Sequence, residues 1–72
     1  MNDKKKEILK RVNQAKAFYV WCVMDNQDVG QYFKTTKSDV LHYTKKYLED
    51  NTDLENLDSS FKLRETGALF IN

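Results

Sequence analysis

The longest apolar run of the chain, residues 17–24 with the sequence AFYVWCVM, constrains the fold more than any other feature. The run is rich in aromatic and β-branched side chains, which favour strands over helices. It is also much shorter than the roughly 20 apolar residues that a membrane-spanning helix needs. We therefore predict a buried central strand in which Cys22 is unreactive and substitution of Trp21 by alanine costs about 3–5 kcal/mol.

The segment before this run has the periodicity of an amphipathic helix. At about 100° per residue its apolar positions share one face: Ile8, Leu9, Val12 and Ala15. We predict a helix over about 4–15. Residues 1–5 should be frayed, because the lysines at positions 4–6 oppose the positive end of the helix dipole.

One continuous helix reaching Met24 is an alternative interpretation of the same region. The positions 8, 12, 15, 19 and 22 keep the 4–3 spacing that a longer helix would need. However, the last third of that stretch is apolar on every side and is dominated by poor helix formers. The pattern therefore favours a helix followed by a strand.

A second strand and a second helix follow the apolar run. Residues 25–28 form a polar turn cluster, and residues 29–36 alternate as a more exposed strand, which together indicate an antiparallel hairpin. Ser38 is the predicted N-cap of a helix over 39–50. The apolar face of that helix holds Val40, Leu41, Tyr47 and Leu48, with Thr44 in its middle.

The last third of the chain contains a short helical turn and more strand material. Residues 52–55 match a capping box that would start a turn carrying Leu54 and Leu57. Residues 61–71 form either one strand that bulges at Gly67 or two short strands that make a hairpin around residues 65–67. In either case the apolar residues 69–71 should be tied into the sheet.

These elements predict an α+β fold in a single small domain over residues 1–72. We expect a small antiparallel sheet of three or four strands, with two amphipathic helices packed on one face. The element order is α-β-β-α-(short α)-β-(β). No internal repeat, proline or linker divides the chain.

The residue inventory argues against catalysis. A chain with one cysteine and one histidine cannot supply a structural zinc site, so we predict neither a metal nor a cofactor. His42 falls on the side of its helix away from the core, and the buried Cys22 has no base to activate it. A domain of this size rarely encloses a catalytic cleft, so we predict a protein that is not an enzyme.

Charge is unevenly distributed and suggests a nucleic-acid partner as one hypothesis. Residues 1–46 hold ten Lys and Arg against five Asp and Glu, whereas residues 47–72 hold two against six. The basic part can neutralise phosphates, while Tyr32, or Trp21 if exposed, can stack a base. The residues proposed for this role are Lys5, Lys6, Lys10, Arg11 and Lys16.

Protein binding is the leading hypothesis. An edge strand such as 29–36 can pair with another chain, and a sequence with many aromatic rings in a small core should leave some of them exposed. The predicted partner-binding residues are Tyr32, Lys34, Lys37, His42, Lys45 and Lys46. A homodimer would also offset the small core.

In size and order of elements the chain resembles small phage or mobile-element modulators that bind host proteins. The resemblance rests on topology, carries no shared residues and transfers no site. It implies a non-enzymatic modulator of a host enzyme, a toxin or a defence component. The lone cysteine and the lack of a signal-peptide pattern predict the cytoplasm, which is the host cell's if the protein is phage-encoded, and we expect no membrane partner.

Overall fold

In a computed structural model, which describes residues 3–25 and 29–72, the chain forms helices packed on a four-stranded sheet. The elements within these ranges are α1 (Asp3–Gln14), β1 (Ala17–Val23), β2 (Gly30–Thr35), α2 (Lys37–Asp50), α3 (Leu54–Ser60), β3 (Phe61–Leu63) and β4 (Ala68–Ile71). The predicted α+β class and element order are therefore confirmed. The positions 26–28 of the predicted turn lie outside the described residues, as do positions 1 and 2 of the segment that we expect to be frayed.

The sheet has the strand order β2-β1-β4-β3. Strands β1 and β2 pair antiparallel, as do β3 and β4, but β1 and β4 run parallel from Ala17↔Ala68 to Val20↔Ile71. The sheet is thus mixed, and the prediction of a purely antiparallel sheet is wrong in this one pairing. The reason is the connection over 36–60 between β2 and β3, whose two helices are long enough to carry the chain across the sheet. β3 therefore runs in the same direction as β2, and β4 then runs parallel to β1.

All three described helices cover one face of the sheet, which includes the two amphipathic helices predicted there. The buried core combines side chains from the helices with strand residues that point to the same face: Ile8, Val12, Phe18, Val40, Leu48, Leu54, Phe61 and Leu69. Thr44 is buried among them, and its hydroxyl donates a hydrogen bond to the carbonyl oxygen of Val40 at 2.9 Å. This bond satisfies the one polar interruption of the predicted apolar face.

The starts of α2 and α3 differ from the sequence predictions. The N-cap of α2 is Thr36, whose Oγ1 accepts a hydrogen bond from the backbone N–H of Asp39 at 3.1 Å, so Ser38 lies inside the helix. The predicted capping box at 52–55 does not form, because Asp53 adopts a left-handed conformation at φ 58° and is itself the N-cap of α3. Leu54 is nevertheless buried at the start of α3, as expected.

The tail folds as a hairpin, the second of the two predicted alternatives. The N–H of Gly67 donates to the carbonyl oxygen of Arg64 at 2.9 Å, which closes the turn between β3 and β4. Gly67 has φ 93°, a conformation that side-chain-bearing residues rarely adopt. The apolar residues 69–71 are paired on both sides and are thereby tied into the sheet.

Strand β1 is central, but only its first half is enclosed. β4 accompanies β1 only as far as Val20, so Trp21, Cys22 and Val23 pair with β2 alone. Trp21 is 42% exposed and Cys22 is also exposed. The prediction that both are core residues is therefore wrong, because the partner strand is shorter than the apolar run.

Candidate functional site

The face of the sheet opposite the helices carries a cluster of aromatic rings. Tyr19 and Phe70 are stacked with centroids 5.2 Å apart, and Tyr32 meets the edge of Phe70 at 4.8 Å. Trp21 packs against Tyr32 in a T-shaped contact at 5.0 Å. The cluster therefore spans β2, β1 and β4 on a surface that none of the described helices covers.

The indole of Trp21 lies directly over Gly30 on the neighbouring strand. A Cβ added at Gly30 would sit 2.5 Å from the ring carbon Cζ2 and 2.9 Å from the carbonyl oxygen of Cys22. Only glycine leaves room for this contact, in which a ring covers a strand glycine. Since the ring rests on backbone and is still 42% exposed, part of it remains available to a ligand.

Basic side chains border these rings. Lys34 pairs with Tyr19, and Lys62 pairs with Phe70, which places both lysines on the same face of the sheet as the rings. The guanidinium carbon of Arg64 lies 5.0 Å from the Phe70 centroid. None of the residues that the described strands direct to this side is acidic. We call the seven residues Tyr19, Trp21, Tyr32, Phe70, Lys34, Lys62 and Arg64 the open face.

The far end of the β1–β2 hairpin exposes a second apolar surface. Val23 is 65% exposed, Met24 40% and Val29 61%. These three residues, which we call the hairpin end, lie beyond the last residue pair that β1 makes with β4. They are exposed because the hairpin extends beyond the end of β4.

A cleft of about 520 Å³ opens on the helix-covered side of the sheet. It lies between α2, α3 and the strands, and its lining is mostly apolar, including Val20, Tyr43, Tyr47, Leu57 and Ile71. Cys22, which is exposed, also lines it. In the part of the chain that the structure describes, no three His, Cys, Asp or Glu residues are grouped to hold a metal ion.

The residues predicted to bind a protein partner do not form one site. Tyr32 and Lys34 belong to the open face. The remaining four, Lys37, His42, Lys45 and Lys46, are exposed on α2, which covers the opposite side of the sheet. Lys45 makes an i,i+4 ion pair with Glu49 at 3.9 Å.

The basic residues of the nucleic-acid hypothesis are also dispersed. Lys6 and Lys10 are exposed on α1, Lys5 is half-buried, and the side chain of Lys16 packs against Gly67. Arg11 has a structural role instead.

The guanidinium of Arg11 donates to the carbonyl oxygens of Asp58 and Phe61 at 2.9 and 2.7 Å, and it forms an ion pair with the Asp58 carboxylate. The hydrogen bond from Arg11 holds the pKa of Asp58 below its ordinary value. Arg11 therefore links α1 to α3. Its guanidinium is not free to contact phosphate, although the nucleic-acid hypothesis requires this contact.

Four residues of the open face were missed by the sequence analysis as site residues: Tyr19, Phe70, Lys62 and Arg64. A signal was present in the tail, where basic Lys62 and Arg64 alternate with apolar Phe61 and Leu63. That alternation shows that two residues share a face, but it does not show which other strand lies beside them. The parallel pairing of β1 with β4 brings Phe70 next to Tyr19.

In comparison with known proteins, no protein-family model, no curated protein and no solved structure matches the chain. None of the helices in residues 3–25 and 29–72 is long and apolar enough to cross a membrane. The surfaces described above are thus the features from which a function can be inferred.

Proposed function

We propose that this protein is a non-enzymatic module that binds a partner protein through its β1–β2 hairpin. One observation carries the proposal. Of the seven large apolar or aromatic residues that are exposed in the described chain, six belong to this hairpin: Trp21, Val23, Met24, Val29, Tyr32 and Phe33. The seventh, Tyr43, lines the cleft beside it. Exposed apolar surface concentrated on one element is typical of a protein-interaction site.

The position of β2 adds a second support. β2 is an edge strand, so the side that faces away from β1 has unpaired backbone N–H and C=O groups. An extended segment of a partner can hydrogen-bond to these groups and extend the sheet. The hairpin end would then lie next to the added strand and bury its valines and methionine.

The chemistry of this surface defines the partner. The segment that binds is extended and bears apolar side chains, because the hairpin end presents two valines and a methionine. A host enzyme, a toxin or a defence component in the cytoplasm is the class that the size and topology of the chain suggest. A second copy of the chain is the other candidate, since two edge strands can pair with each other.

The experiment that tests this proposal compares two variants in affinity capture from a nuclease-treated lysate. Met24→Asp combined with Val29→Asp places two charges on the hairpin end without touching the core. We expect this variant to capture at least about tenfold less partner than the unchanged protein, because burying unpaired carboxylates is costly.

A control variant carries charge changes elsewhere. Lys5→Glu, Lys6→Glu and Lys10→Glu alter α1, and we expect them to leave the captured partner unchanged. Circular dichroism and thermal unfolding establish that both variants fold. If the hairpin-end variant captures the same partner in the same amount, or if only the α1 variant loses it in a salt-dependent way, the proposal is wrong.

A further inference from the structure

We infer that the open face binds single-stranded nucleic acid, with a base stacked on Trp21 and phosphates paired with Lys34, Lys62 and Arg64. This goes beyond the proposed protein partner, which uses the hairpin end and the β2 edge. The inference rests on three properties of the open face: exposed rings, their fixed arrangement and the sign of the surrounding charge.

The rings are held in place before any ligand binds. Tyr32 contacts both Trp21 and Phe70, and its hydroxyl donates a hydrogen bond to the side-chain oxygen of Asn72 at the end of β4. The indole of Trp21 rests on Gly30 and keeps an exposed surface. A planar base can therefore stack without a large loss of side-chain entropy. Stacking on an aromatic residue contributes roughly 1–3 kcal/mol per base and tolerates any sequence.

The charges around the rings complement a phosphate backbone. The lysines lie on the two edge strands, β2 and β3, on either side of the aromatic cluster, and Arg64 lies over Phe70. No strand residue on this side of the described chain is acidic. A strand of nucleic acid that crosses the sheet can thus place a base on the rings and phosphates at both margins.

The same charges disfavour the other occupants of such a face. A second copy docked face to face would bring two sets of cations together, and none of the described strand residues on this side supplies a carboxylate between them. An apolar protein surface would bury these cations without partners, which is costly. Duplex nucleic acid offers phosphates, but its bases are already stacked and paired, so it cannot use the rings.

The intrinsic fluorescence of Trp21 can report ligand binding at the open face, because Trp21 is the only tryptophan of the chain. Titration with a short single-stranded oligothymidylate should quench the tryptophan fluorescence in a saturable way. With three phosphate contacts on a single strand, the logarithm of the binding constant should fall against the logarithm of the salt concentration with a slope of about −2. A duplex of the same length should bind at least about tenfold more weakly.

Two charge-matched variants decide between this face and the general basicity of the chain. Lys34→Glu with Lys62→Glu should weaken oligonucleotide binding at least about tenfold, since both phosphate contacts become repulsive. Lys45→Glu with Lys46→Glu makes the same change in net charge on α2 and should leave binding within about twofold of the unchanged protein. Thermal unfolding verifies that each variant is folded.

Any of several results would overturn the inference. These are no quenching at low salt, equal quenching by the duplex, equal loss in the two variants, or a dimer in sedimentation equilibrium that dissociates in the Lys34 and Lys62 variant. The variant with Met24→Asp and Val29→Asp separates the two proposals. It should bind the oligonucleotide normally while losing the protein partner, so the failure of one proposal leaves the other standing.

Discussion

The two halves of β1 are built from similar residues but lie in opposite environments. Residues 18–20 pair with β2 and β4 at once, and Phe18, 6% exposed, lies beneath the helices. Residues 21–23 pair only with β2, and Trp21 and Val23 are 42% and 65% exposed. Apolar composition therefore predicts a strand, but the length of the neighbouring strand decides how much of it is buried.

This difference has a structural origin in β4. That strand has four residues, Ala68–Ile71, and it reaches no further along β1 than Val20. The half of β1 beyond this point is left for contacts outside the sheet. The first half stabilises the fold, whereas the second half supplies the surfaces for which we propose functions.

The largest effect should come from the enclosed half. Phe18→Ala removes a buried ring between the sheet and the helices and should lower the free energy of unfolding by about 3–5 kcal/mol. Urea denaturation monitored by circular dichroism measures this loss. If Phe18→Ala lowered the free energy of unfolding by less than Trp21→Ala does, the two halves of β1 would not differ in burial as described.

A smaller loss is expected where the projecting half meets β2. In Gly30→Ala the new Cβ would overlap the Trp21 ring and approach the carbonyl oxygen of Cys22, so the ring or the backbone must shift. We expect destabilisation of about 1–3 kcal/mol together with a changed tryptophan emission maximum. In a Trp21→Ala background the cost of Gly30→Ala should shrink, and equal costs in both backgrounds would argue against the stacking of the indole on Gly30.

Trp21→Ala itself should cost less than a core substitution of the same size. Its ring is 42% exposed, so we expect about 1–2 kcal/mol instead of the 3–5 kcal/mol predicted for a buried tryptophan. Chemical denaturation followed by far-ultraviolet circular dichroism measures the difference. A loss as large as that of Phe18→Ala would mean that the projecting half is enclosed in solution.

The smallest effect should come from the ion pair between Arg11 and Asp58, which holds α1 against α3. Arg11 lowers the pKa of Asp58, so the contribution of this pair to stability is present above the ordinary aspartate pKa of about 3.9 and is lost as the pH falls through the lowered value. Asp58→Asn should cost less than about 1 kcal/mol at neutral pH, because the pair is partly exposed to solvent.

The pH dependence supplies the control for this prediction. The stability difference between Asp58→Asn and the unchanged protein should be constant from neutral pH to about 5 and should then narrow as the carboxyl group is protonated. Thermal unfolding over this pH range measures it. Arg11→Met should abolish the narrowing, and its persistence in that variant would assign the titration to another carboxyl group.

Much of the fold follows from local patterns in the sequence. The helical spacing that includes Ile8 and Val12 predicts the buried face of α1, and that of Val40 and Leu48 predicts the face of α2. The first hairpin and the pairing of the tail follow from alternation and turn residues. These features depend on contacts close in sequence, which is why a single sequence reveals them.

The remaining features depend on residues that are far apart in the chain. The parallel pairing of β1 with β4 joins positions about 50 residues apart, and no local pattern specifies its direction. The exposure of Cys22 depends on that same pairing. The prediction for the candidate site names Tyr32 and Lys34 but not Phe70 or Lys62, because their proximity exists only once the strands are assembled.

The insertion of β4 between β1 and β3 also determines when this domain can fold during synthesis. β4 follows all the other elements along the chain, yet it occupies an interior place in the sheet. The ribosome therefore releases both helices that cross the sheet, and the entire first hairpin, before the strand that completes the core has emerged from the exit tunnel. Until then the aromatic rings of β1 lack a neighbour on one side, so the nascent chain exposes an apolar strand of the kind that promotes aggregation.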